Sequence, residues 1–231
     1  MSGTKMSKPV CLVTAPVGTR SGYGAHSRDI VHSLIDLDLY DVKVMPVRWG
    51  STPQNALDEN DPEDRKILER YLPQPHLDKQ PELHIHIVVP NEFQTWGKYN
   101  IGITAGAEFT AVRPEWLEGL NRMDLNIVPA EFVKEMIEHT QYEEKKGKEV
   151  VGVHKVNKPI EVLFEGYDEK IYGKTKEFSQ ELLDEFDKIR DPFCFLFTGH
   201  WLSGNMTEDR KDVGMLIKTF IETFKNKGKK K

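Results

Sequence analysis

Along the chain, short runs of apolar, β-branched residues alternate with stretches whose apolar residues recur every three or four positions. That alternation predicts strands interleaved with amphipathic helices. Val10 to Ala15 reads as a first strand, Gly18 to Gly24 as a glycine-punctuated turn, and Ala25 to Leu37 as a helix with Ile30, Val31, Leu34 and Ile35 at helical spacing. Tyr40 to Val47, Glu82 to Pro90, Lys98 to Thr104, Leu125 to Val128 and Pro159 to Phe164 read as further strands. Asp61 to Leu72 is expected to be a helix with Asp61 as N-cap and Pro62 in its first turn; Pro114 to Met123, Glu131 to Glu144 and Phe178 to Ile189 are expected to be others. The Lys145 to Lys158 interval reads as polar connection. From Pro192 the pattern restarts with a strand-like FCFLFTG, a polar loop, and a helix over Lys211 to Phe224. Strands alternating with helices predict an α/β fold, a parallel sheet covered by helices on both faces, with ligands at the carboxyl ends of the strands. A lone strand and helix cannot enclose a core, so residues from about 192 onward read as the opening of an incomplete second domain.

Composition narrows this picture. With 231 residues and 38% hydrophobic content, the chain has ample material for a packed core. A net charge of −5, with 32 Lys+Arg and 37 Asp+Glu spread along the sequence, gives no basic field for nucleic acid. The basic run at Lys225 to Lys231 reads as a solvated tail. Cys11 and Cys194 each sit in an apolar run, as buried thiols do, rather than in a disulfide or metal pattern. The polar amino terminus lacks a signal-peptide apolar region, and no apolar run approaches the roughly eighteen residues of a membrane span. The expectation is a cytoplasmic protein. His84 and His86, two apart, share one face of a strand; without a third ligand nearby, a structural role is expected over a metal site.

The glycine-punctuated turn is the stretch with chemistry in it. A strand running through such a turn into a helix leaves the first helical N–H groups unpartnered at the positive end of the helix dipole, where a phosphate fits. A plain glycine turn is the competing reading. The dinucleotide pattern G-x-G-x-x-G fits poorly, because the third position after Gly22 and Gly24 is Ser27. About twenty residues on, where a ribose-binding carboxylate belongs, stands Val44-Met45-Pro46-Val47-Arg48.

Four stretches, in order, resemble the amino-terminal half of a GT-B glycosyltransferase of the retaining family 4 type. SGYGAHSRDIVHSL is similar to that family's glycine-rich loop and first helix. IGITAGAEFTAVRPEWLEGLNRMDLNIVPAEFVKEMI resembles its strand, Glu-bearing loop, Pro-x-x-Trp and D-x-I-x-V-P-S-x-F. IEVLFEGYDEKIY resembles the I-x-V-I-P-N-G-V-D-x-x-x-F segment that closes the first domain, and FLFTGHWLSGNMTEDRKDVGMLIKTF the opening of the donor domain.

The resemblance implies two Rossmann-like domains, an acceptor-side domain at 1–190 and the start of a truncated donor-binding domain at 191–231. It implies transfer of a sugar from a nucleotide-diphosphate donor to a carbohydrate or other acceptor with retention, without a bound metal or other cofactor. The leaving diphosphate then needs positioned cations and N–H groups. On that basis Arg210 and Lys211 match the family's basic pair, and Gly22, Tyr23 and Gly24 match the loop facing the donor phosphates. Glu108 falls where a side chain orients the acceptor or a sugar hydroxyl, though a plain loop carboxylate fits equally. Departures are His200 for the usual Arg, Ala130 for Ser and Glu165 for Asn. Trp116 and Trp201 read as packing residues rather than sugar platforms. The paired-glutamate Glu-x7-Glu motif of the donor domain is not among these residues, so the donor sugar and base stay open. Arg48 to Asn60 and Thr95 to Lys98 are candidate acceptor contacts by position. Two alternatives stand beside this reading. One is a non-catalytic binding module whose uncovered second-domain face drives homo-oligomerisation or partner binding. The other is a Rossmann-like enzyme for NAD(P) or another nucleotide, with Arg48 on a 2′-phosphate.

Overall fold

The structure, a computed structural model, describes residues 7–106, 110–147, 149–169, 172–175, 177–199, 206 and 211–225. It divides into two compact units, residues 1–168 and 169–231. In the first, strands β1 (Val10–Ala15), β2 (Asp41–Pro46), β3 (Leu83–Ile87), β4 (Tyr99–Ile103), β5 (Leu125–Val128) and a short strand at Ile160–Val162 form one parallel six-stranded sheet. From the β2 edge the order is β2-β1-β3-β4-β5 and then the Ile160–Val162 strand. The chain leaves β1 for β2 on one side and later returns to β3 on the other, so the order reverses between β1 and β3.

Because side chains alternate across a strand, the registered pairs sort into two faces. One face presents Cys11, Val13, Ala15, Val42, Val44, Ile85 and Ile87, against which α1 (Gly22–Leu37) packs Val31 and α2 (Pro62–Leu68) packs Ile67. The other face is more polar. It carries Thr14, His84, His86, Asn100 and Asn126, all buried, and each makes a hydrogen bond there. Thr14 Oγ1 meets His84 Nε2 at 3.0 Å, the Asn100 amide donates to Asp124 and to the Gly97 carbonyl, and the Asn126 amide donates to the Leu120 carbonyl at 3.0 Å. Gly102 has no side chain because the Phe93 ring lies over it; a Cβ would come within 2.5 Å of that ring. Towards β5 this face is covered by α3 (Pro114–Arg122) and α4 (Glu131–His139), whose Leu117, Leu120, Met136 and Ile137 join Phe93 and Met123 in a second core.

Several elements differ from the sequence expectation. Helix α1 begins at Gly22 instead of after Gly24, because Ser21 caps it: its Oγ accepts the Gly24 N–H at 3.0 Å. Helix α2 has the expected Asp61 cap and Pro62 but ends at Leu68. The next residues join the sheet edge, Val44 N–H donating to the Arg70 carbonyl and Leu72 N–H to the Val44 carbonyl. Helix α4 stops at His139, not Glu144. Thr140 ends it by donating to the Met136 carbonyl while accepting the Val112 N–H. The expected polar connection after it is an antiparallel hairpin of β6 (Gln141–Lys146) and β7 (Glu149–Lys155), turned at Gly147 with φ of +68°. The final strand of the sheet, β8 (Ile160–Val162), is shorter than the run that predicts it.

The second unit, taken by itself, contains α5 (Gln180–Asp187), capped by Ser179, and α6 (Val213–Phe224). The FCFLFTG run forms no strand in its described residues 193–199, because none of them finds a strand to pair with. Cys194 is therefore exposed, against the expectation of burial. Phe195 instead packs against Phe220 and Phe224 of α6, ring centroids 5.6 Å from each. Val213 is the one buried residue among those described in this unit.

Candidate functional site

The carboxyl ends of β1, β3 and β4 meet the amino-terminal end of α1, and the β1–α1 loop is held there by its own polar groups. Thr19 N–H and Oγ1 both donate to the Pro16 carbonyl, Thr19 Oγ1 lies 2.8 Å from Ser21 Oγ, and Arg28 reaches back from α1 to donate to the Val17 and Thr19 carbonyls at 2.8 Å each. Burial lowers the Arg28 pKa, while nearby Asp64 and Asp29 favour its charge. With Ser21 Oγ on the Gly24 N–H and the Ser21 carbonyl on the Ala25 N–H, the first-turn N–H groups of Gly22 and Tyr23 are left at the open end of the helix.

Tyr23 extends from this turn across the sheet end. Its hydroxyl lies 2.9 Å from Thr104 Oγ1 and accepts the Ala105 N–H at 3.1 Å, both just past β4. Burial raises its pKa, the dominant effect, so the phenol is neutral and can donate as well as accept at physiological pH. The Trp49 ring lies against it with centroids 4.3 Å apart, making an aromatic wall. One turn along α1, His26 Nδ1 faces Glu165 Oε1 at 3.8 Å. The site thus offers helix N–H donors, a fixed hydroxyl, an aromatic wall and a paired imidazole and carboxylate. Beside it, a cavity of about 450 Å³ is walled by Gly18, Val47, Arg48, Gln54, Leu57 and Tyr71, at the carboxyl ends of β1 and β2.

Of the residues singled out from sequence, Gly22, Tyr23 and Gly24 come together in the first turn of α1. Neither glycine has positive φ. Gly24 is required by closeness, since a Cβ there would stand 2.2 Å from the Thr19 carbonyl oxygen, whereas Gly22 has nothing within 4 Å. Glu108, His200 and Arg210 lie outside the described residues. Glu108 follows Gly106, whose φ of +67° and close approach to Val133 admit no side chain. Lys211 is exposed immediately before α6, in the second unit. Trp116 packs on the second core, and Trp201 is outside the described residues. Arg48 lies at the end of β2 on the cavity wall. Ala130 is the N-cap of α4 and, as its lack of a hydroxyl requires, makes no capping bond.

Sequence reasoning passed over Thr104, His26 and Arg28, and reached Trp49 only as part of the candidate acceptor stretch Arg48 to Asn60. Of these, only Arg28 and His26 had a local signal, by lying one or two helical turns from the glycines. His84 and His86 are buried on the polar sheet face, and burial pushes their pKa values down to about 4 and about 3. His86 Nδ1 accepts the Gln94 N–H at 3.0 Å, so both rings are neutral packing groups. Among the described residues no three His, Cys, Asp or Glu side chains stand close enough to hold a metal ion. No described helix is long and apolar enough to cross a membrane. Comparison with protein-family models, with curated proteins and with solved structures finds no match to this chain.

Proposed function

We propose that this chain is the acceptor-side part of a GT-B glycosyltransferase of the retaining family 4 type, transferring a sugar from a nucleotide-diphosphate sugar to a carbohydrate or other acceptor. The observation that carries the reading is the open amino-terminal turn of α1, with the Gly22 and Tyr23 N–H groups at the point where strand order reverses. Such a turn suits a diphosphate, by partial charge and by donor geometry. The four sequence stretches, in family order, supply the sugar and the retaining chemistry. In this reading Tyr23, Gly22 and Gly24 face the diphosphate from the acceptor side, while His200, Arg210 and Lys211 supply cationic stabilisation of the leaving group and Glu108 orients the acceptor. No metal takes part.

The test is transfer by the protein at its native length, offered a panel of UDP-, GDP- and ADP-sugars with simple glycoside acceptors. A product with the donor's anomeric configuration is expected. Absence of transfer and of donor hydrolysis with every donor overturns the reading. A second reading, a binding module, draws on the exposed Leu216, Phe220 and Phe224 of α6. It predicts self-association or a partner without turnover, which sedimentation and the same assays distinguish. A third, NAD(P) binding, predicts saturable NADPH binding with no response to UDP.

A further inference from the structure

On the sheet face opposite α1 and α2, none of the described helices packs over β1 and β2. Leu12 of β1 and Met45 of β2 instead look into a cavity of about 270 Å³ roofed by the 72–81 segment, which contributes Leu72, Pro75 and Leu77. Its remaining wall is Trp96. One indole face is occupied, stacked on His84 with centroids 5.1 Å apart and on His86 at 6.1 Å. Those imidazoles are themselves fixed by Thr14 and the Gln94 N–H, so the indole is backed by a rigid, buried stack. Trp96 is nonetheless 41% exposed. A large aromatic ring that lines the cavity, is fixed by stacking on two buried imidazoles and stays part-exposed offers apolar aromatic surface to a ligand. The ionisable groups among the residues lining the cavity are Lys79 and His76, with the Gln80 amide beside them; no carboxylate lines it.

We propose that this cavity binds a small, flat aromatic carboxylate, its ring against Trp96, Leu12 and Met45 and its charge towards Lys79. At about 270 Å³ the cavity falls just below the usual range for small-molecule pockets, which limits the occupant to a small ligand, and it combines an apolar body with a few polar groups at one rim. Flatness follows from the indole face, and anionic charge from the one-sided rim. The site lies on the other face of the sheet from α1 and does not depend on the glycosyltransferase reading.

The experiment is a titration of the chain with 2-naphthoate, followed by the Trp96 indole N–H resonance, identified by its disappearance in Trp96→Phe. A saturable shift of that resonance is expected, with the Trp49 indole unmoved. The neutral 2-naphthamide should bind about fivefold more weakly, and 2-naphthoate should lose a similar factor in Lys79→Gln, the effect of one solvent-screened charge pair. Cyclohexanecarboxylate, charged but not flat, should bind more weakly than 2-naphthoate. Lys79 is exposed, so its substitution leaves the fold intact. No shift up to the solubility limit, an equal shift at Trp49, or equal affinity for the amide overturns the proposal.

Discussion

Gly22 and Gly24 look alike in the sequence and are opposite in the structure. A methyl group at Gly24 would be driven into the Thr19 carbonyl, whereas at Gly22 it would meet open space. Gly24→Ala is therefore expected to lower stability by about 1–3 kcal/mol, the usual penalty of overpacking, and Gly22→Ala to raise it by about 0.4–1 kcal/mol by restricting the unfolded chain. Urea denaturation of the two variants checks both signs. The buried imidazoles give a pH dependence. In the folded chain they titrate near 4 and 3, below their ordinary 6.5. As pH falls through 6.5 the unfolded chain takes up protons that the folded chain refuses, so stability is level above neutrality and declines until both folded values are passed. The urea midpoint should be lower at about pH 5 than at pH 7; equal midpoints would mean that the rings are hydrated. The thiols differ too. Burial pushes Cys11 up to about 12, while Cys194 is exposed, so a native-state alkylation should label Cys194 first and Cys11 only on unfolding.

At the scale of elements, the helix caps were the most legible feature and the most modifiable one. Asp61 and Pro62 announced α2 because a cap is a local matter, settled within three residues. Ala130 leaves α4 without a side-chain cap although its backbone is extended, as a cap requires. Ala130→Ser should therefore stabilise the protein by about 0.5–2 kcal/mol, read as a rise in melting temperature. The β6–β7 hairpin was not legible. Its first strand, QYEEKK, is polar, exposed and without apolar alternation, and the valines of its second, EVVGVHK, are exposed and stand within a lysine- and glutamate-rich interval that reads as polar connection. What places the hairpin lies far off in sequence: the Tyr142 hydroxyl donates to the Val112 carbonyl and His154 meets the Pro114 carbonyl. The end of α2 was misjudged for a related reason, since the Val44 edge that claims Arg70 and Leu72 is remote in the chain. The same holds for the candidate site. The glycine turn was visible as a local pattern, but the Tyr23 to Thr104 contact spans 81 positions and has no signature in either segment.

The molecule as a whole distributes its burial unevenly between its two units. Both apolar cores belong to residues 1–168, while Val213 alone is buried among the described residues of 169–231. Amide exchange should be slowest in β1, β3 and β4 and fast throughout α5 and α6; comparable protection in α6 would show that its apolar face is covered in solution. If Lys211 stabilises the leaving diphosphate in the native-length enzyme, Lys211→Ala should lower kcat by about a hundredfold or more, and unchanged turnover removes it from the chemistry. The row of buried polar groups across the second sheet face bears on a different matter, how the chain avoids alignment errors while it folds. Apolar strands packed side by side are nearly indifferent to a shift of two residues, since the same faces still point inward. Here such a shift would carry Asn100 away from Asp124 and Asn126 from the Leu120 carbonyl, and, when β1 slips towards the carboxyl end of β3, Thr14 from His84. Each stranded group would forfeit about 1–3 kcal/mol, so the hydrogen bonds act as a proofreading ladder, rejecting misaligned sheets that greasy contacts alone would accept.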